Sequence, residues 1–388
     1  MRVYLDNAAT TSVKREVLDA MLPYFTEYFG NPSSLHGFAR EAHAGLDTAR
    51  RQAASALNAS PDEIIFTGCG TESDNMVLRG VAQRYAKKGK HIITTAIEHH
   101  AILHTAEALE KEYGFEVTYL PVDEYGGITA QQVADAIRED TILVSVMFAN
   151  NEVGTIMPIA EIGAVCRAKK VLFHTDAVQA VGHVPIDVQA MNIDFLSLSS
   201  HKFHGPKGVG VLYMKKGLKL PSFMTGGGQE KNRRAGTENV PGIVGLGKAI
   251  ELATRDIEGV NREILRLRDK LIAGIRESIP EVKLNGHPTE RLPNNVNFSI
   301  RYIEGEGMLL LLDLNGIAAS SGSACTSGSL DPSHVLLAMG IPHEIAHGSL
   351  RLTLSDETTE EEVDYVLDVL PKVVQRLRDM SPLYNTVH

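Results

Sequence analysis

Short apolar runs rich in β-branched residues occur at Glu63–Thr67, His91–Ala96, Val117–Pro121, Thr141–Phe148 and Val171–Thr175. Stretches with apolar residues at helical spacing separate most of them, so the pattern predicts repeated β-α-β units from about residue 13 to 255. Repeats of that kind give a mostly parallel sheet covered on both faces. At the start, Val17, Met21 and Phe25 recur at helical spacing behind Ser12, a candidate cap, and Arg40–Leu57 reads as a second helix stopped near Asn58 and Pro61. Glu251 to Glu277 reads as one long amphipathic helix. A strand at Asn295–Arg301, a helix at Gly305–Leu314, a strand at Ile317–Ser320, a helix near Pro332–Met339 and a strand at Ser349–Ser355 follow. The last helix starts at Thr359, with Glu362 completing a capping box. The expected division is a large α/β domain over residues 15–255 and a smaller α+β domain built from 1–14 and 256–388.

Composition narrows this picture only a little. The chain has 388 residues, of which 43% are hydrophobic and 22% charged, enough to bury a large core. A formal net charge of −10 argues against nonspecific binding to nucleic acid or to an anionic membrane. The longest apolar run, around Met308–Leu312, is too short to span a bilayer, and the first residues turn polar too early for a secretory signal. Three separated cysteines, Cys69, Cys166 and Cys325, form no CxxC pair and no disulfide framework, which makes a reducing, cytoplasmic location the default.

The chemistry is concentrated in a few places. Lys202 lies among hydroxyls, histidines and glycines in Ser199-Ser200-His201-Lys202-Phe203-His204-Gly205, and Asp176 lies upstream at the end of an apolar strand. A lysine amine forms a Schiff base with an aldehyde cofactor, and a carboxylate keeps that cofactor's pyridine nitrogen protonated, so the ring becomes an electron sink. This pair points to pyridoxal phosphate. The strand Glu63–Thr67 runs into Gly68-Cys69-Gly70-Thr71-Glu72-Ser73, with a helix expected near Asp74, and that arrangement suits a phosphate. There is no GxxxxGK[ST] loop. His99, Asn151, Asp176 and Gln179 close neighbouring strands, so polar groups converge on one sheet edge.

Cys325 sits in the small-residue run Ser320–Gly328, where a thiol is expected to be exposed and mobile, as suits a nucleophile that visits two sites. Cys69 and Cys166 read as structural. Arg351 falls on the polar face of its strand, where it would be either a surface residue or a bidentate clamp for a substrate carboxylate. His343-Glu344-Ile345-Ala346-His347 matches the HExxH pattern of zinc hydrolases, but Pro342 and Gly348 leave barely one helical turn for it.

Taken in order, these motifs resemble the cysteine desulfurases, the NifS/IscS group of class V aminotransferase-like enzymes. The resemblance runs essentially end to end. It rests on Tyr4–Thr11, Gly30–Ser34, Thr71–Ser73, Glu98-His99, Asn150–Gly154, Asp176–Gln179, the His201-Lys202 run, Gly226–Glu230, Arg234–Thr237 and the Cys325 loop. The wording of Ile317–Ser355 and Leu377–Pro382 looks closest to the nitrogen-fixation type. The resemblance implies the fold-type I architecture, a homodimer with active sites at the interface, and pyridoxal phosphate as cofactor. Lys202 would carry the cofactor and move the Cα proton, while Asp176 would pair with the ring nitrogen. His99 would stack on the ring and act as acid/base, with Asn151 and Gln179 positioning the ring. Gly70, Thr71, Ser199 and His201 would hold the phosphate, with Thr237 reaching it from the partner subunit. Arg351 and Asn151 would bind the substrate. Cys325 would accept sulfur from L-cysteine as a persulfide, serve as a possible transient iron–sulfur ligand, and hand the sulfur to an iron–sulfur scaffold protein. No resident metal is implied. A selenocysteine lyase, a cysteine sulfinate desulfinase and a cofactor-free sulfur carrier remain as alternatives.

Overall fold

The structure, a computed structural model, describes residues 1–321, 332–382 and 384. Twelve strands are described: β1 (Val3–Tyr4), β2 (Ile64–Thr67), β3 (His91–Thr95), β4 (Glu116–Leu120), β5 (Thr141–Ser145), β6 (Leu172–Asp176), β7 (Phe195–Ser199), β8 (Gly210–Met214), β9 (Val282–Leu284), β10 (Asn295–Ile300), β11 (Ile317–Ala318) and β12 (Ser349–Thr353). Seven form one sheet in the order β2-β8-β7-β6-β5-β3-β4. Only β8 runs against its neighbours; the other pairings are parallel. The carboxyl ends of β2, β3, β5, β6 and β7 therefore share one edge.

Both faces of this sheet are covered, which is why its strands read as continuous apolar runs. Successive residues go to opposite sides. Phe66, Ile93, Val144, Leu196 and Val211 enter one apolar cluster, while Ile65, Ile92, Leu143, Phe195 and Leu212 enter another. The first cluster also takes the buried faces of helices Gly37–Ala56 and Val240–Thr254. A third cluster lies on the antiparallel sheet β12-β10-β9 and the pair β1-β11, beneath the helices Ile257–Ser278 and Glu360–Met380. Thr359 and Glu362 form the expected capping box there.

Several expected elements differ. The first helix begins at Arg15 behind Lys14, and Ser12 instead donates to Glu357 at 2.9 Å. Phe25 is exposed, because Pro23 starts a separate short helix and turns it away from Val17 and Met21. The long helix expected from Glu251 to Glu277 is two helices, since Asp256 breaks the run and caps the second by accepting from the Gly259 N–H. Strands β1, β7, β8 and β9 are not among those the pattern predicts.

Candidate active site

One cavity of about 330 Å³ opens at the shared strand edge, within the size range of cofactor sites, about 300–1,000 Å³. Asp176 ends β6, and the single helical turn Ser200–Lys202 after β7 brings Ser199, His201 and Lys202. The segment after β3 brings His99, and that after β5 brings Asn151. The turn after β2 contributes Gly70 and Thr71, Gln179 follows Asp176, and Arg351 arrives from β12 of the other sheet. Eleven of the twelve residues expected at the site lie within the described chain, and ten of these line this one cavity. The exception is Thr237, which is exposed and outside it.

Lys202 is gripped from the N-terminal segment. Its Nζ donates to the carbonyls of Ala8 at 2.6 Å and Ala9 at 2.8 Å. Gln179 Nε2 donates to the same Ala8 carbonyl at 3.0 Å. Thr11 ties the strap down through its hydroxyl, which donates to the His201 carbonyl and accepts from the His204 N–H. The lysine is thus held on an ordered backbone, which limits its rotamers before any cofactor is present.

Asp176 is buried, and one carboxylate oxygen accepts from the Val178 N–H at 2.9 Å. Burial pushes this carboxyl up to about 6, while the Val178 N–H and the Lys202 charge hold it down. Behind it stand further buried acids. Asp74 is raised well above the usual carboxylate range by burial first and by Asp176 second. Glu98 is pushed up to about 8, again chiefly by burial. His174, between Ser145 and Ser197 at 2.8 and 3.0 Å, is driven down to about 3 by burial. Burial thus raises all three carboxyls, and at Asp176 the Lys202 charge works against it.

His99 caps the helix His100–Tyr113 by accepting the Ala101 N–H at 3.1 Å through Nδ1. Its proton therefore resides on Nε2. Burial, then the Lys202 charge, depresses its pKa to about 4, so the ring is neutral near pH 7. His201 is lowered to about 4 for the same two reasons.

At the other strand end, the helix Gly70–Tyr85 starts without a side-chain cap. Its N-terminal amides and dipole are aimed where an anion would sit. A Cβ on Gly70 would lie 2.7 Å from Val178 Cγ2, so only glycine leaves this turn open. Glu72 braces it, accepting from the Gly68 N–H at 2.8 Å and from Arg234 Nε at 2.8 Å.

Arg351 is 3% exposed, so the surface-arginine reading fails: the polar face of its strand is the cavity wall. Cys69, expected to be merely structural, also lines the cavity. Cys166 fits its structural reading, its thiol pushed up to about 12 by burial. Cys325 lies outside the described residues. The HExxH histidines sit on a one-turn helix, Ala346 at its end, with ring centroids 4.6 Å apart. Among the described residues no group of three His, Cys, Asp or Glu is arranged to hold a metal. Residue-by-residue reading missed Ala8 and Ala9, which act through backbone carbonyls, and Asp6, Asp74 and Glu98. A buried Glu98 beside the expected His99 was the signal available for the last.

The comparisons agree with this geometry. Residues 3–366 match the family model for class-V aminotransferases. The chain is 61% identical over 381 residues to a protein of Methanosarcina thermophila described as cysteine desulfurase IscS, covering 98% of this chain and 94% of that one. A solved NifS-like protein superimposes with a TM-score of 0.92 at 41% identity, covering 97% of this chain and all of that one. A second, SspA solved in complex with cysteine, gives a TM-score of 0.81 at 36% identity, covering 92% of this chain and 100% of that one. With the family model matched over almost the whole chain and cysteine desulfurases identical to it at about three positions in five, the chain belongs to the class-V aminotransferase family, among its cysteine desulfurases.

Proposed function

We propose that this chain takes sulfur from L-cysteine, leaves L-alanine and holds the sulfur as a persulfide on Cys325. The observation that supports this most is a single cavity gathering Lys202, Asp176, His99 and Arg351. Pyridoxal phosphate is the family's cofactor, and the residues fit it. A turn only glycine keeps open faces an uncapped helix start, and a buried carboxylate and an amine share the cavity.

When bound, the cofactor supplies an electron sink for the bonds at the substrate's Cα. Lys202 would hold it covalently and then move the Cα proton at Nζ. Asp176 would keep the ring nitrogen's proton, its negative charge sustained by the Val178 N–H. Gly70, Thr71, Ser199 and His201 would hold the phosphate. Neutral His99 would lie on the ring and exchange a proton at Nε2, and Asn151 and Gln179 would set the ring's orientation. Arg351 would hold the substrate carboxylate.

In the sulfur step the Cys325 thiolate attacks the substrate sulfur. The new S–S bond forms as the Cβ–S bond breaks, and the carbon keeps the electron pair. Protonation of that carbon gives L-alanine, so L-cysteine and enzyme thiol become L-alanine and enzyme persulfide with atoms and electrons balanced.

Further parts of the proposal rest on the resemblance. The working unit is a homodimer, each copy lending Thr237 to the other's phosphate site, with the chain divided into 15–255 and 1–14 plus 256–388. The acceptor is an iron–sulfur scaffold protein, the location is the cytoplasm, and a nitrogen-fixation role is drawn from the wording of 317–355 and 377–382. Among the described residues no helix is long and apolar enough to cross a membrane. The test is alanine formation from L-cysteine under reducing conditions, comparing the wild type with Cys325→Ala. Alanine from the wild type alone supports the reading, and pyruvate or no product from either overturns it.

A further inference from the structure

Arg351 carries an unused donor and an unexpected partner. Its Nη1 donates to the Asn151 carbonyl at 2.9 Å, and its Nη2 to Asp6 Oδ1 at 2.9 Å. Its Nε is buried with no hydrogen-bond partner, although the side chain lines the cavity. A guanidinium has five N–H donors in a fixed fork. Nε is therefore a donor still to be matched, and a carboxylate fits a guanidinium edge with two parallel bonds. Asp6 already sits on Nη2 of the same fork.

Asp6 is built into this place. Its carbonyl accepts from the Ala9 N–H at 3.0 Å and from the Tyr4 hydroxyl at 3.2 Å. Its backbone bridges to Thr353, two residues along β12 from Arg351. These contacts fix the Asp6 backbone within the strap that also grips Lys202, and its carboxylate is held at Arg351.

We propose that Asp6 is a specificity-determining residue that limits the site to amino acids with one carboxylate and an uncharged side group. The proposal rests on the desulfurase reading and names its substrate class. Asp6 and Arg351 together are neutral, their side chains 21% and 3% exposed. One substrate carboxylate is still accepted, because Nε of the fork is unmatched. Asp6 is not itself a lining residue, but it cancels the charge of Arg351, so a second anion finds no cation there to balance it. Among the described residues lining the cavity the Lys and Arg side chains are Lys202 and Arg351, and Lys202 is either joined to the cofactor or needed as the neutral base for the Cα proton. The thiol of cysteine, with a usual pKa of about 8.5, passes this filter near neutral pH, whereas a β-sulfinate or β-carboxylate does not.

The experiment is an optical titration of the cofactor-loaded protein with L-alanine and with L-aspartate, in the wild type and in Asp6→Asn. The variant should bind L-aspartate about tenfold more tightly relative to L-alanine than the wild type does, a change of about 1.4 kcal/mol. An aspartate-to-alanine ratio equal in the two proteins overturns the proposal. Asp6→Ser, which removes the charge with a smaller side chain, replaces Asp6→Asn if that variant loses the cofactor absorbance. Alanine production from L-cysteine by the wild type is measured separately. Its absence would sink the desulfurase reading, while the binding ratio would still decide the role of Asp6.

Discussion

The Nζ of Lys202 lies 2.6 Å from the carbonyl oxygen of Ala8, so a residue near the start of the chain restrains the proposed cofactor lysine. Through Asp6 the same short segment also restrains Arg351. Strap, lysine and arginine form one connected unit, and the two ends of the proposed substrate are read by groups that share a scaffold.

Lys202→Ala should bind pyridoxal phosphate without covalent attachment and lose alanine formation by on the order of a thousandfold, the scale of a proton-transfer group. Mass spectrometry after borohydride reduction checks it. A cofactor adduct on a tryptic peptide lacking residue 202 would move the role to another lysine.

Gly70→Ala tests the anion turn. The added methyl would meet Val178 Cγ2 at 2.7 Å, closer than real carbon–carbon contacts, so either Val178 or the turn must shift within the proposed phosphate site. We expect cofactor affinity to fall about tenfold, some 1.4 kcal/mol, with circular dichroism unchanged. Equal cofactor affinity in both proteins would place the phosphate elsewhere.

The α/β architecture was legible because fully buried strands and amphipathic helices leave different periodicities, as at Ile92-Ile93 in β3 and along Glu360–Met380. Lys202, Asp176 and His99 stood out in the sequence because polar groups close several neighbouring strands at one edge and sit in motifs that resemble the family, where each alone would more readily read as structural. What sequence could not show was contact made by backbone or by distant partners. Ala8 and Ala9 look inert as side chains, and nothing in local spacing pairs Asp6 with Arg351, 345 residues away. Strand alternation placed Arg351 on a polar face but could not say that a second sheet closes over it. Asp256, which splits the long helix, reads as one more polar residue until its side chain is seen capping.

Buried Glu98 gives the protein a pH-dependent stability. Its Oε1 accepts from Thr95 and the Met147 N–H, which hold its pKa down, but burial outweighs them and favours the protonated acid. The folded-state value is raised to about 8 from 4.5. The contribution is therefore fully present below the unfolded value and is lost as pH rises through the folded one. Glu98→Gln mimics the neutral acid and does not titrate. Between about pH 5 and about pH 9 the wild type should lose at least about 3 °C more of its melting temperature than Glu98→Gln does. Parallel melting curves for the two apoproteins across that range would show that Glu98 is ionised in the fold.

Cys325→Ala separates binding from sulfur transfer. The groups that line the described cavity, Lys202, Asp176 and Arg351 among them, are untouched by this change. The variant should keep the cofactor's visible absorbance and its response to added L-cysteine. It should form no persulfide, because the thiolate that would break the Cβ–S bond is missing and an alanine methyl cannot take its place. Alkylation followed by intact-mass measurement reads this directly, as a gain of one sulfur atom in the wild type after L-cysteine and none in the variant. A sulfur adduct that persists in the variant would transfer the acceptor role to another thiol. Cys69 would then be the first to test, since it lines the cavity, whereas Cys166 is buried in the core.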